Sequence, residues 1–153
     1  MFIGFDIGNT TTMLGLYKDG SPAPCAIARY RTEKRSGGAR LAENIVRAIN
    51  SMGDFGDVEP AVSAGAFSSV VPEMNHLYHK TANRLFGIDI FEIRHDSQFT
   101  IGINYRDRSK LGIDRIVNTE AAFIENGPGC IVIDIGTAAT YDVLNSSGVF
   151  DGE

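Results

Sequence analysis

The sequence predicts an α/β fold with a mixed sheet and flanking helices. Two observations lead to this class: strand-like apolar runs alternate with helical periodicity, and one strand–turn–strand pattern occurs twice, near residue 6 and near residue 134. The chain has 153 residues, of which 43% are hydrophobic and 22% charged, as in globular proteins. Its formal net charge of −5 argues against binding to nucleic acid.

In residues 2–93 the sequence predicts three strands, a helix, a strand, a helix and a strand, in that order. Asp19-Gly20 is typical of a hairpin turn between the second and third strands. Apolar residues spaced three to four apart indicate both helices, Gly53 is a suitable stop for the first, and Pro72 can open the second. The predicted strands cover residues 2–7, 11–17, 25–32, 61–67 and 88–93, and the predicted helices cover 39–52 and 72–86.

The second part predicts a polar segment, a helix and further strands. Residues 94–111 carry a basic cluster, Arg106, Arg108 and Lys110, which we interpret as a solvated loop. His76 and His79 have no clear third ligand nearby in the sequence, so a metal site there is disfavoured. The predicted helix covers residues 113–124, and the predicted strands cover 130–134 and 140–144 and begin again at 149.

Asp6-Ile7-Gly8 and Asp134-Ile135-Gly136 each follow an apolar strand and precede small residues, mostly with hydroxyl or amide groups. Glycine lets the backbone approach a ligand closely, and successive N–H groups in a tight turn form an anion-binding concavity. An aspartate at the strand end can hold a metal ion that counters phosphate charge. One such turn could be a plain hairpin. Two in the same context are typical of the actin-like (ribonuclease H-like) phosphotransferase fold, in which two related domains hold ATP between their turns.

We therefore expect a first actin-like domain at residues 1–126 and the incomplete N-terminal part of a second, similar domain at 127–153. No lysine stands in a Walker A loop, and the Gly-x-Gly-x-x-Gly pattern is absent. The turns are thus expected to bind triphosphate without a lysine.

In its motifs and their order, the chain resembles the type III pantothenate kinases, members of the actin-like ATPase, acetate and sugar kinase superfamily. The matching segments are Asp6-Ile7-Gly8-Asn9-Thr10, Ser68-Ser69-Val70-Val71-Pro72, Gly112-Ile113-Asp114-Arg115 and Asp134-Ile135-Gly136-Thr137-Ala138. The resemblance implies ATP-dependent phosphorylation of pantothenate to 4'-phosphopantothenate, the first step of coenzyme A biosynthesis. It also implies a homodimer at full length.

The resemblance implies roles for individual residues. Asp114 would be the catalytic base, although helix capping alone would explain an aspartate at that position. Asp6 would bind Mg²⁺, directly or through water, and Asp134 would bind a monovalent cation, K⁺ or NH₄⁺. The implied pantothenate-binding residues are Tyr105, Gly112, Ile113, Asp114 and Arg115. The implied ATP-binding residues are Asp6, Ile7, Gly8, Asn9, Thr10, Thr11, Thr12, Met13 and Thr137.

No apolar run is long enough to span a bilayer, and the N-terminus lacks the features of a secretory signal, so we expect a cytoplasmic protein without membrane contact. The family's pattern continues beyond the second phosphate turn. We therefore expect the complete protein to be a kinase and this chain alone to be inactive or barely active.

Two other hypotheses stay open. The first is a non-catalytic actin-like module for nucleotide binding or regulatory interaction. The joint presence of five residues disfavours it: Asp6, Asp114, Arg115, Asp134 and Thr137. The second is an actin-like kinase acting on sugars or acetate. The combination of Asp6-Ile7-Gly8-Asn9-Thr10 with Gly112-Ile113-Asp114-Arg115 disfavours it.

Overall fold

The computed structural model describes residues 1–53, 61–136 and 139–152. The chain forms two compact units, Met1–Ile93 and Arg94–Glu153. Each unit contains one sheet flanked by helix, so the α/β class is confirmed. The division into domains at 1–126 and 127–153 stays a prediction, and the compact units divide the chain at a different place, after Ile93.

The first unit is built on a five-stranded sheet with the order β3-β2-β1-β4-β5. Neighbours among β1, β2 and β3 are antiparallel, whereas β4 runs parallel to β1 and β5 runs parallel to β4. The strands are β1 (Phe2–Ile7), β2 (Thr11–Tyr17), β3 (Ala26–Arg31), β4 (Ala64–Ser69) and β5 (Phe91–Glu92), and the helices are α1 (Gly38–Ser51) and α2 (Pro72–Phe86).

The core of this unit follows from the alternation of apolar residues along its central strands. Ile3, Phe5 and Ile7 are buried on β1, because side chains two apart in a strand point to the same face. Tyr78 on α2 packs its ring against Phe5, with ring centroids 5.4 Å apart. Pro72 opens α2, and Gly87 ends it in the left-handed conformation at φ 69°.

The parallel pairing of β1 with β4 brings two motifs together. Asp6 lies opposite Ser68 in the register, so the carboxyl ends of both strands lie at one edge of the sheet. In open α/β sheets, ligands bind in the crevice outside this edge. The turn after β1 and the start of α2 are therefore positioned for a ligand site.

The second unit contains a four-stranded sheet with the order β6-β9-β8-β7. β7, β8 and β9 are antiparallel neighbours, like β1, β2 and β3, and α3 packs on β7 and β8. This repetition of a three-stranded antiparallel start agrees with the predicted similarity of the two halves. The elements are β6 (Gly102–Ile103), α3 (Ile113–Asn126), β7 (Cys130–Ile135), β8 (Ala139–Leu144) and β9 (Val149–Gly152).

Two predicted strands begin three residues too early, and one short strand was not predicted. β4 begins at Ala64 and ends at Ser69, later than the predicted 61–67, because its pairing with β1 carries it through the polar Ser68 and Ser69. β5 has only two residues, although 88–93 was predicted. The two-residue β6 lies within the predicted polar segment, where it pairs with β9.

One face of β7 is apolar and exposed. Ile131, Ile133 and Ile135 are 64%, 55% and 82% exposed, and Tyr141 on β8 is exposed as well. The described helices include none that is long and apolar enough to cross a membrane.

Candidate active site

The turn between β1 and β2 is closed by a short backbone contact. The Gly8 N–H donates a hydrogen bond of 3.1 Å to the Thr11 carbonyl oxygen. A Cβ atom at residue 8 would lie 2.8 Å from that same oxygen, so only glycine fits this turn. Asn9 and Thr10 at the tip are exposed, which leaves the turn open to a ligand.

Asp6 stands beside this turn at the end of β1. Its Oδ1 accepts a hydrogen bond of 3.0 Å from the hydroxyl of Ser68 on β4. The Ser69 hydroxyl accepts from the Val71 N–H at 3.0 Å, which supports the entry into α2. The exposed Asp6 carboxylate is an oxygen donor of the kind that Mg²⁺ prefers.

A cluster of hydroxyl groups next to the β1–β2 turn holds the turn through hydrogen bonds. The Tyr78 hydroxyl lies 3.3 Å from the Thr12 hydroxyl and 3.1 Å from the Tyr30 hydroxyl. The Thr32 hydroxyl lies 3.0 Å from that of Thr12 and donates to the Gly8 carbonyl oxygen at 2.8 Å. Burial, with Tyr78 close by, raises the pKa of Tyr30, and burial also raises the pKa of Tyr78. Both hydroxyls therefore stay protonated and keep their hydrogen bonds at neutral pH.

Lys34 also contacts the turn, and the sequence had not indicated it. Its Nζ donates a hydrogen bond of 2.6 Å to Oδ1 of Asn9, 25 residues earlier in the chain. The Walker A motif places its phosphate-binding lysine within the glycine-rich loop itself. The expectation that the turns bind triphosphate without a lysine stays a prediction, although the β3–α1 loop places Lys34 at the tip of this turn.

A second group of predicted residues lies in the second unit, at the start of α3. Gly112 is the N-cap residue and makes no side-chain capping bond, and Asp114 lies in the first turn. Oδ1 of Asp114 accepts from the Arg115 N–H at 2.9 Å, and a Cβ atom at Gly112 would collide with the same oxygen. Asp114 thus accepts a hydrogen bond from a backbone N–H in the first turn of α3, but the N-cap residue is Gly112.

Arg115 is bound to a carboxylate that the sequence had not paired with it. Its Nε and Nη2 lie 2.7 and 2.5 Å from Oδ1 of Asp142 on β8. Asp142 is fully buried, and the guanidinium lies 5.8 Å from the centre of the Phe150 ring. This ion pair fixes Arg115 beside the sheet of its unit. Binding of pantothenate by Arg115 stays a prediction.

The remaining predicted site residues are dispersed in the second unit. Asp134 is exposed at the end of β7 and lies opposite Thr140 in the register. Tyr105 is exposed, and its ring lies beside Gly152 of β9. Thr137 lies outside the described residues. Within the described residues, no three His, Cys, Asp or Glu side chains group closely enough to hold a metal ion.

The basic cluster is exposed as predicted, but Arg108–Lys110 form a short 3-10 helix rather than an irregular loop. Arg108 donates to the Ile103 carbonyl oxygen at 3.3 Å, and Lys110 lies 3.7 Å from the Asp107 carboxylate. Arg106, Arg108 and Lys110 are all exposed. On α2, His79 lies 3.1 Å from a carboxylate oxygen of Glu92, a contact between helix and sheet.

The order and geometry of these motifs correspond to a known protein family. The family model described as "Type III pantothenate kinase" matches residues 2–153. The chain belongs to the type III pantothenate kinase family. The resemblance predicted from the four motifs is therefore confirmed.

Curated relatives carry the same family name. A type III pantothenate kinase of Persephonella marina is 31% identical over 153 residues, covering 99% of this chain and 58% of the relative. One of Endomicrobium trichonymphae is 31% identical over 156 residues, covering 99% of this chain and 59% of the relative. The chain thus spans under two thirds of the length of these type III pantothenate kinases.

Solved structures support the fold. An inorganic polyphosphate/ATP-glucomannokinase from Arthrobacter has a TM-score of 0.52 at 14% identity, with 99% of this chain and 60% of that chain covered. A reductive activator for a corrinoid, iron-sulfur protein has a TM-score of 0.51 at 13% identity, with 95% and 29% covered. At these identities the likeness concerns the fold alone. The predicted actin-like α/β class is confirmed.

Proposed function

We propose that the native protein transfers a phosphoryl group from ATP to the hydroxyl of pantothenate, giving 4'-phosphopantothenate, the first step of coenzyme A biosynthesis. The observation that carries this proposal is the open turn at Gly8 beside the Asp6 carboxylate, in a chain of this family. Phosphoryl transfer depends mainly on positioning and charge neutralisation. The glycine turn offers the positioning, and Mg²⁺ held by the Asp6 carboxylate would supply the neutralisation.

In this proposal the ATP phosphates bind along Asp6–Met13, where the absence of a side chain at Gly8 permits close approach, and Thr137 makes a further contact. The close packing at Gly8 fits a phosphate-binding turn, and the Asp6 carboxylate fits Mg²⁺. When bound, Mg²⁺ would neutralise part of the phosphate charge.

Asp114 is proposed to take the proton of the pantothenate hydroxyl. Its Oδ1 is engaged by the Arg115 N–H, whereas Oδ2 accepts no hydrogen bond from the described residues. Oδ2 is thus the oxygen to which we assign the proton. Gly112, Ile113, Arg115 and Tyr105 would hold the rest of pantothenate.

Further parts of the proposal concern the surroundings of the reaction. Asp134, with the Thr140 hydroxyl opposite it, offers oxygen donors of the kind that bind K⁺, or NH₄⁺ in its place. The native protein is proposed to be a cytoplasmic homodimer with two actin-like domains, the first at 1–126 and the second beginning at 127.

The test is a phosphorylation assay of the native protein with ATP and pantothenate, with the product identified by mass spectrometry. Asp114→Asn should lower kcat by about a hundredfold to ten-thousandfold, the usual contribution of a general base, with an unchanged melting temperature. Glu125→Gln, an exposed acid on the same helix, is the matched control and should keep full activity. Absence of product with the unmodified protein would refute the kinase proposal. An unchanged rate with Asp114→Asn would refute its role as the base, and the non-catalytic module is favoured only if the unmodified protein gives no product.

A further inference from the structure

We propose that Lys34, with Arg31 and Arg35 beside it, forms a polyphosphate-binding site on the turn at Gly8. The inference rests on the proposed use of ATP and names side chains that meet its phosphate charge. The positive charge that would bind phosphate lies on the β3–α1 loop, which contains no known phosphate-binding sequence motif.

The geometry puts these cations next to the turn. Lys34 Nζ lies 2.6 Å from Oδ1 of Asn9, at the tip of the turn. A cavity of about 430 Å³ adjoins Lys34 and is lined by the six consecutive residues 31–36. Arg31, at one end of this segment, lies opposite Thr11 in the register of β3 with β2. The cavity and the turn therefore share one edge of the sheet.

The loop that carries the cations is fixed to the turn rather than merely near it. The Thr32 N–H donates to the Thr10 carbonyl oxygen at 2.9 Å, and the Thr32 hydroxyl donates to the Gly8 carbonyl oxygen at 2.8 Å. At the other end, the Ser36 hydroxyl and N–H both donate to the Glu33 carbonyl oxygen, at 2.7 and 3.0 Å. The backbone of the loop is thus fixed before any ligand arrives, and Lys34 is held by Asn9, which limits the entropy lost on binding.

The charge of the cavity is positive because its single acid is engaged elsewhere. Arg40 Nε and Nη2 donate to the two carboxylate oxygens of Glu33, at 3.2 and 3.4 Å. These hydrogen bonds from Arg40 lower the pKa of Glu33, so the charge of Glu33 is matched by that of Arg40. The charge of Arg31 also lowers the pKa of Glu33, and the Arg35 side chain makes no hydrogen bond or ion pair with the described residues.

The start of α1 adds to this potential. The helix begins at Gly38, directly after the cavity, with no side chain capping it and no acidic residue in its first turn. Its free N-terminal N–H groups carry partial positive charge. Together with three cationic side chains, they suit an anion of several charges, such as a chain of linked phosphates.

Lysine chemistry supports a direct contact. An ammonium group has three N–H donors, and Asn9 takes one of them, so two stay available for phosphate oxygens. Hydrogen bonds between charged partners are shorter and stronger than neutral ones. Both a nucleoside triphosphate and inorganic tripolyphosphate present this chemistry.

The experiment measures the binding of ATP, adenosine and inorganic tripolyphosphate to the native protein by calorimetry. Lys34→Gln removes the charge and keeps an amide donor, Lys34→Arg keeps the charge, and Lys80→Gln removes an exposed lysine of α2 as the matched control. Lys34→Gln should weaken ATP binding by about tenfold to a hundredfold, the range for a charged hydrogen bond, and leave adenosine binding unchanged. Lys34→Arg and Lys80→Gln should bind ATP like the unmodified protein.

Each outcome bears on the proposal. If Lys34→Gln binds ATP with unchanged affinity, or weakens adenosine binding equally, Lys34 does not contact phosphate and the inference is wrong. If the protein binds no nucleotide but binds tripolyphosphate in a Lys34-dependent manner, the anion site stands and the ATP-dependent function fails. If neither anion binds, both are refuted.

Discussion

The hydroxyl of Thr32 donates a hydrogen bond of 2.8 Å to the carbonyl oxygen of Gly8. Thr32 follows β3 and Gly8 follows β1, so the contact reaches across the sheet from one strand end to another. The same hydroxyl also lies 3.0 Å from that of Thr12. A turn that is proposed to hold phosphate therefore depends on a buried side chain outside it.

Replacing Thr32 by valine should destabilise the protein at nearly constant side-chain volume. The Gly8 carbonyl oxygen and the Thr12 hydroxyl would each lose a buried partner, which costs about 1–3 kcal/mol in the free energy of unfolding. Urea denaturation followed by circular dichroism measures this loss. Thr32→Ser keeps the hydroxyl and should stay close to the unmodified protein, and equal stability of the valine and serine variants would contradict the role of the hydroxyl.

Gly8→Ala should impair the turn itself. A Cβ atom at residue 8 would lie 2.8 Å from the Thr11 carbonyl oxygen, which is too close for carbon and oxygen, so the backbone must shift. We expect ATP binding by the native protein to fall at least about tenfold. Gly37→Ala is the matched control, because a Cβ atom there meets nothing within 4 Å and its φ of −81° suits any residue. ATP binding that survives Gly8→Ala unchanged would place the nucleotide elsewhere.

The tyrosine cluster should limit stability at alkaline pH. Burial raises the folded-state pKa of Tyr30 and Tyr78 above the usual value of 10.0. Below about pH 10, the folded and the unfolded protein both keep the phenol protons, and the stabilisation is complete. Above about pH 10, the unfolded protein loses these protons and the folded protein keeps them, so the free energy of unfolding falls as pH rises. Urea midpoints across this range should decline.

The Tyr78→Phe variant provides the control for that decline. It should be less stable at neutral pH, because the Thr12 and Tyr30 hydroxyls lose a partner, and its stability should fall less steeply above about pH 10. An identical alkaline slope in both proteins would assign the decline to other groups.

The ion pair between Arg115 and Asp142 should be costly to break from one side. Asp142→Ala would leave the guanidinium beside a buried sheet without its carboxylate, and losses of about 3–5 kcal/mol are usual for buried pairs. The Arg115→Ala/Asp142→Ala double variant should lose less than the sum of the single variants. Unfolding free energies of all four proteins measure the coupling, and strictly additive losses would show that the pair contributes none.

The sequence predicted the fold class and most elements, because the strands of the first unit alternate strongly and α2 has clear start and stop signals at Pro72 and Gly87. It placed β4 too early and did not predict β6. Pairing between strands decides those bounds, and a two-residue strand has no periodicity to detect. The local pattern of apolar residues was therefore enough to predict elements that are long and amphipathic.

Long-range contacts escaped prediction for a related reason. Lys34 reaches Asn9 only because β2 and β3 form a hairpin that returns the chain to the turn. Likewise, Asp142 meets Arg115 only after α3 packs on β8. The motifs identified residues of the two candidate sites. Their contact partners, Lys34 and Asp142, are 25 and 27 residues away in the sequence, and no short motif includes them.

The row of isoleucines on β7 has a practical consequence for these measurements. Ile131, Ile133 and Ile135 expose an apolar strip in the folded state, and such strips attract dyes that fluoresce in contact with hydrophobic surface. The 153-residue chain should therefore give a high initial signal in dye-based thermal scans, before any unfolding takes place. Ile133→Thr should lower that baseline, and melting temperatures are better taken from circular dichroism.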